Sequence, residues 1–319
     1  MRNAIQEPPA TSSCCDPVAV GTACCGLAAV GYTAANICLR LLAGEASPVW
    51  VSCVKELVTV VVVGPWVALR LWRGLPSLPP SGSLFALAGA GLAVQMAGNL
   101  GLIWALSVAG LSVVIPVALG ISMSGSTILG RIILREKITG RSALAIGLLI
   151  ASVVLLKMGA ARETPLPTAG PLKAGLGVGV AVLAGISYAS LTVVIRSTAA
   201  VAAPPRGVVF VVTGVGVLSL GPMSLWELGP TGLLSTPPAT LSLMLLAGGL
   251  NLMAFLAITK GLHLTSIVHA NVINASQVAM AGVAGIVCFG EDWNSQLVLG
   301  IGLTVVGMTL IERPAAGLE

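Results

Sequence analysis

From residue 18 to residue 311 the chain is a succession of apolar stretches, most of them about as long as a bilayer is thick. Ten can be marked off: Val18–Leu42, Val49–Leu71, Ser83–Ala109, Leu111–Ile133, Ser142–Met158, Leu172–Ile195, Gly207–Trp226, Ala239–Thr259, Ser266–Phe289 and Gln296–Ile311. A helix of about 20 apolar residues crosses the hydrocarbon core, whereas a membrane β-barrel alternates apolar and polar residues over shorter segments. These runs are continuous, so the expected fold class is an all-α integral membrane protein of ten transmembrane helices. Only 8% of the residues are charged, with 56% hydrophobic and a mean hydropathy of +1.01. A soluble domain carries roughly 25% charged residues, so this chain lacks the polar surface to face water.

The breaks between runs are chemically sensible. Residues 75–82 and 163–171 are Pro-rich and cannot continue a helix. Pro204-Pro205 and Pro237-Pro238 mark two further helix starts. The polar, Pro-rich first 17 residues read as a disordered cytoplasmic tail without the pattern of a cleavable signal. With ten spans, the side of the N-terminus collects eleven cations and the opposite side four, Lys55 lying within a span. The positive-inside rule then puts both termini in the cytoplasm of a cell (inner or plasma) membrane protein. The net charge of +5 follows from that bias and gives no reason to expect a nucleic-acid partner. The seven cysteines are odd in number, and no histidine lies near the adjacent pairs, so small apolar packing residues are expected rather than a metal site.

A second pattern is superimposed on the spans. Tyr32 and Tyr188 are the two tyrosines of the chain, and each opens a segment that ends eight residues later in arginine, Arg40 or Arg196. Both matches are 156 residues apart, and the pattern continues from Gly64-Pro65 to Gly221-Pro222, from Glu136 to Glu291 and from Gly147 to Gly302, at offsets of 155 to 157. The chain therefore reads as a tandem duplication: a first five-helix repeat over 18–160, a linker at 161–171, a second repeat over 172–312 and a cytoplasmic tail at 313–319. Five spans per repeat is an odd number, so the second copy enters the membrane from the opposite side. Inverted repeats of this kind are an architecture of secondary transporters, because the two halves can exchange packings around a central site.

Residues 105–156 run from a small-residue turn through Ser112 and Pro116 to Glu136 and then a Gly-rich helix with Gly147. This segment resembles the end of an EamA repeat of the drug/metabolite transporter superfamily. Residues 260–311 look like its second copy, with Ser266, Glu291 and Gly302, but Asn271 or its neighbour stands where the proline belongs. The resemblance also implies a basic residue in the second helix, a place that Lys55 would fill. It covers nearly the whole chain past residue 17, and it implies the fold far more strongly than the substrate.

Polar side chains inside spans are costly and need a reason. Tyr32 and Asn36, with Arg40, share one face of the first span by their i, i+4, i+8 spacing, as do Tyr188, Thr192 and Arg196 on the sixth. Gln95 and Asn99 lie near the middle of the third span, Asn251 at comparable depth in the eighth, and Asn271, Asn274 and Gln277 step along the ninth. These groups are candidates for a substrate pathway; the competing reading makes them interhelical glue, with the arginines as interfacial anchors. Lys55 either meets an anionic substrate group or snorkels outward. Glu56 is the sole acidic side chain well inside a span and the first candidate for proton coupling, with His269 a second. Adjacent on a helix and about 100° apart, Lys55 and Glu56 are not expected to face each other.

No P-loop, G-x-S-x-G or H-E-x-x-H pattern appears, so neither an enzyme nor a cofactor is indicated. The leading expectation is a carrier of a small metabolite, an amino acid or similar, with export as the expected direction, working by alternating access at a midplane cavity. The rivals are a sugar or nucleotide-sugar carrier or lipid-linked sugar flippase on the same fold, and a non-transporting membrane scaffold or sensor. Expected partners are a small-molecule substrate and the lipid bilayer, with a homodimer as a form open to the chain.

Overall fold

The computed structural model describes residues 16–42, 45–102, 104–105, 111–135 and 171–289, with scattered positions between 139 and 155 and between 295 and 310. Among the described residues all regular structure is helical. In chain order the helices are α1 (Pro17–Leu42), α2 (Pro48–Trp72), α3 (Ser81–Ala93) running into a π-helical segment (Val94–Leu100), α4 (Leu111–Ile133), α5 (Pro171–Thr198) with a 3-10 turn (Ala199–Val201), α6 (Pro205–Leu234), α7 (Pro238–Leu264) and α8 (Ile267–Phe289). They correspond to spans one to four and six to nine. The fifth and tenth spans, the turn near Gly110, the linker and both tails fall largely outside the described residues.

Five of these helices begin on proline. The ring fixes φ near the helical value, and its missing N–H costs nothing in the first turn, where that donor has no intrahelical partner. Among the described residues six helices are long and apolar enough to cross a membrane: residues 17–39, 48–72, 81–100, 175–201, 205–234 and 238–264. Large apolar side chains such as Phe85, Leu218 and Val287 are exposed on the outside of the bundle. That surface suits hydrocarbon, while the backbone polar groups are satisfied within each helix. Helix α6 is broken once, at Gly229 just before Pro230, where φ is 63° and only glycine is at ease.

Helix α1 packs on α7 and α8, α5 on α3 and its π-helical extension and on α4, α2 on α6 and α7, and α3 on α6. Small residues set the approach distances. A Cβ on Gly31 would lie 3.0 Å from that of Ala254, and one on Gly98 would lie 3.2 Å from Oγ of Ser187. A Cβ on Gly91 would meet Cα of Val212 at 3.4 Å, and one on Gly248 would meet Cα of Lys55 at 3.3 Å. A large core links α2, α3, α5, α6 and α7 through residues such as Val67, Leu87, Val208, Val212 and Leu252. The centre of the bundle is where the polar residues gather.

Candidate functional site

Helix α2 carries Lys55 and Glu56 into the bundle. Glu56 is 4% exposed, and its Oε1 lies 3.5 Å from Nζ of Lys55. This corrects the expectation that adjacent residues cannot meet. Helical angles fix the Cβ directions, but the four-carbon stem of lysine is long enough to curl its ammonium back over the next side chain. Burial favours that conformation, because an uncompensated charge away from water is far more costly than the lost stem entropy.

Opposite α2, the π-helical segment presents Gln95 and Asn99. An i→i+5 stretch widens the turn locally and changes where side chains aim, and such segments are frequent at functional sites. Asn99 Nδ2 donates to Gln95 Oε1 at 2.6 Å, and Tyr188 Oη on α5 donates to Asn99 Oδ1 at 3.1 Å. The phenol can come this close because position 98 is glycine: a Cβ there would stand 3.1 Å from two ring carbons of Tyr188. Gly216 on α6 plays the matching part on the other side. A Cβ at Gly216 would lie 2.7 Å from Gln95 Nε2 and 2.9 Å from Glu56 Cγ, so the amide and the carboxylate side chain converge on one bare stretch of backbone. Glu56 is also within electrostatic reach of Tyr32 on α1 and of Tyr188. The result is a polar cluster drawn from α1, α2, the π-helical segment, α5 and α6, walled by apolar helices.

The other candidate residues divide. Asn36 is exposed, yet at 100° per residue it sits roughly 140° from the stripe of Ala23, Leu27, Val30 and Leu41 that faces outward on α1. Its exposure is therefore toward the interior of the bundle. Asn251 on α7 is half-buried and lies about opposite the outward stripe of Ser242, Leu246 and Met253. It stands 156 residues from Gln95, the same interval as between the tyrosines. Thr192 is engaged locally, its hydroxyl donating to the Tyr188 carbonyl at 2.9 Å. Asn271 ties α8 to α4 by donating to Ser126 Oγ at 2.7 Å. Asn274 keeps a buried side-chain oxygen without a hydrogen bond, and the Gln277 backbone carbonyl accepts from Thr33 at 3.4 Å. His269 lies on another side of α8, 2.8 Å from the Thr22 hydroxyl. Arg196 donates to the Leu262 and His263 carbonyls at 3.0 and 3.2 Å, closing the C-terminus of α7 where a cation also suits the helix dipole. The side chain of its counterpart Arg40 lies outside the described residues.

Three contributors were not singled out from sequence: the π-helical geometry of 94–100, Gly216 and Ser126. Gly216 was visible in principle, since it stands among the valines of 207–217, where an aliphatic side chain would otherwise be expected. Nothing in the local sequence of 94–100 distinguishes a π segment from an α-helix. Chemically, the cluster offers a carboxylate and an ammonium, amide donors and acceptors and two phenols. That set suits reversible binding of a small polar molecule. Among the described residues no group of His, Cys, Asp and Glu is placed to hold a metal ion.

Comparison with known proteins bears on this arrangement at two levels. The EamA-like transporter family matches over residues 175–313. A solved structure titled only "Crystal structure of protein" superposes with a TM-score of 0.72 at 16% identity, covering 91% of this chain and 95% of that one. At that identity the likeness is one of fold. No curated protein matches in sequence.

Proposed function

We propose that this chain is a membrane transporter of the EamA type in the drug/metabolite transporter superfamily, a reading supported by the match over residues 175–313, and that it moves a small polar metabolite through the cluster around Glu56, Gln95, Asn99 and Tyr188. The proposed architecture is ten spans in two inverted repeats, and the proposed cycle is alternating access. One observation carries the architectural reading: contacts recur when the halves are exchanged. Adding 156 to one partner and subtracting it from the other turns the Gly31–Ala254 approach into Ser187–Gly98. A shift of 157 turns Gly91–Val212 into Gly248–Lys55. The larger packing scheme supports the same two-fold relation, since exchange maps α1 on α7 to α5 on α3, α1 on α8 to α5 on α4, and α2 on α7 to α6 on α3. With five spans per copy, such an axis lies in the membrane plane.

Symmetry in the scaffold and asymmetry in the site together favour a carrier. The scaffold offers two equivalent packings, while Lys55 and Glu56 have no charged counterpart on α6, where Val212 and Thr213 stand at the positions 157 residues on. Binding chemistry is thus concentrated at one off-axis charged pair beside the amides. We take the solute to be an amino acid or similar metabolite, with export as the direction and both termini cytoplasmic; Tyr32, Asn36 and Asn251 complete the pathway wall. Glu56 is the candidate for proton coupling, since a carboxylate that binds and releases a proton changes the charge of the cluster by one unit. The test is uptake into proteoliposomes across a panel of amino acids, sugars and nucleotide sugars, with and without a proton gradient. Movement of an amino acid that fails in Glu56→Gln supports the reading. Movement of a sugar alone transfers the assignment to a sugar carrier, and no movement of any solute by a folded protein rejects transport.

A further inference from the structure

Away from the polar cluster, where α2 ends and α6 begins, two arginines share one indole. The guanidinium carbon of Arg70 lies 5.1 Å from the centroid of Trp66, and that of Arg206 lies 5.0 Å from it. The two cations are therefore within about 10 Å of each other, and among the described residues neither pairs with a carboxylate. Nε of Arg70 is shielded from solvent and has no hydrogen-bond acceptor. A cationic N–H without an acceptor is a costly group to leave in place. Directly beside it runs the loop that follows α2, whose Ser77 backbone carbonyl packs on Gly207 at the start of α6. Ser77 is itself 1% exposed, with a hydroxyl that has no partner. Arg73 adds a third cation one turn beyond Arg70, and Arg206 is exposed.

From this geometry we infer a binding site for the phosphate headgroup of an anionic phospholipid at the Arg70–Trp66–Arg206 end of the bundle. A phosphate oxygen supplies the acceptor that Arg70 Nε lacks, and a second oxygen bridges to Arg206, whose flexible stem lets the fork close on it. The first turn of α6 contributes its N-terminal dipole to the same anion. The indole holds both guanidiniums in place before the ligand arrives, which reduces the entropy lost on binding. The source of the phosphate follows from the neighbours. Leu69 and Trp72, three residues apart on α2 and the latter 86% exposed, form an outward apolar face along the same end of the helix, where acyl chains of a bound lipid would lie. Basic pockets between helices at the cytoplasmic boundary are suited to such headgroups.

Native mass spectrometry and thermal melting of the purified full-length chain, with phosphatidylglycerol or phosphatidylcholine added, test the site. Phosphatidylglycerol is expected to remain bound and to raise the melting temperature more than phosphatidylcholine does. Arg206→Gln should weaken phosphatidylglycerol binding about fivefold, and the pair Arg70→Gln/Arg206→Gln by a further similar factor. Equal retention of the two lipids by the unaltered chain overturns the site. So does retention of phosphatidylglycerol unchanged in Arg206→Gln, a variant whose exposed position keeps the test open even where the Arg70 change prevents folding. Glycerol 3-phosphate at matched concentration is the third arm: stabilisation equal to that by the lipid overturns the lipid assignment in favour of a soluble phosphate ester.

Discussion

Two sets of amide side chains sit inside this bundle, and they are used differently. On the π-helical segment, Asn99 bonds to Gln95 and to Tyr188, and Gln95 and the Glu56 side chain both crowd onto Gly216. On α8, Asn271 bonds to Ser126 across one helix pair. Both sets have residues at spacings of three or four on a helix, so spacing alone does not separate them. What separates them is company. The first set gathers residues of five elements around a buried ion pair, while the Asn271 bond joins α8 to α4 alone. An amide in a membrane interior earns about 0.6 kcal/mol as glue between helices; a cluster with charges, phenols and two glycine-bared surfaces is more than adhesion requires.

That contrast can be broken or sharpened by substitution. The largest effect is expected at Glu56. Glu56→Gln should abolish transport and also destabilise the fold by about 3–5 kcal/mol, because Lys55 is left as a buried unpaired cation. Lys55→Met/Glu56→Gln should restore much of the stability and none of the transport; recovery of transport in the pair would show that the carboxylate only neutralises the lysine. Melting curves and uptake assays separate the two outcomes. Next comes Gly216→Ala. A methyl placed 2.7 Å from Gln95 Nε2 forces the amide or the helix to move, at a cost of about 1–3 kcal/mol, and transport should fall with it. A neutral result would mean that the approach of α6 to the cluster is incidental.

Smaller effects distinguish the two sets most cleanly. Asn99→Ala should lower transport about tenfold at unchanged expression, since it removes the member that links Gln95 to Tyr188. Asn271→Ala should leave transport within about twofold while costing about 0.6 kcal/mol of stability. Reversal of that order in paired uptake and melting measurements would exchange the roles assigned to the third and ninth spans. Asn251→Ala should behave as Asn99→Ala does, because Asn251 faces the interior and makes no hydrogen bond among the described residues.

The sequence carried the helix boundaries well, for a local reason. Proline at 48, 205 and 238 stops one helix and starts the next regardless of tertiary context, so the observed starts fall within two residues of those read from composition. Depth was legible too: a polar residue in the middle of an apolar run must lie inside the bundle or be satisfied by a neighbour, which singled out Gln95, Asn99, Asn251 and Glu56. The partner of each was not. Whether an amide meets a hydroxyl, as Asn271 meets Ser126, or a phenol, as Asn99 meets Tyr188, depends on which helices adjoin and how they are rotated. The expectation that Lys55 and Glu56 would not meet failed because rotamers of long side chains are set by burial, which spacing does not encode. The end of α6 ran longer than the apolar run suggested, since the helix resumes beyond the break at Gly229.

The account stands or falls on whether the centre of the bundle opens to both faces of the membrane. Cysteine placed singly at Asn251 or Asn36, in a background without other cysteines, can be probed with an impermeant thiol reagent in right-side-out and inside-out vesicles. Alternating access predicts labelling from both faces, with each orientation slowed when a transported solute is present. Labelling from one face alone under every condition, in a protein that remains folded, would contradict it.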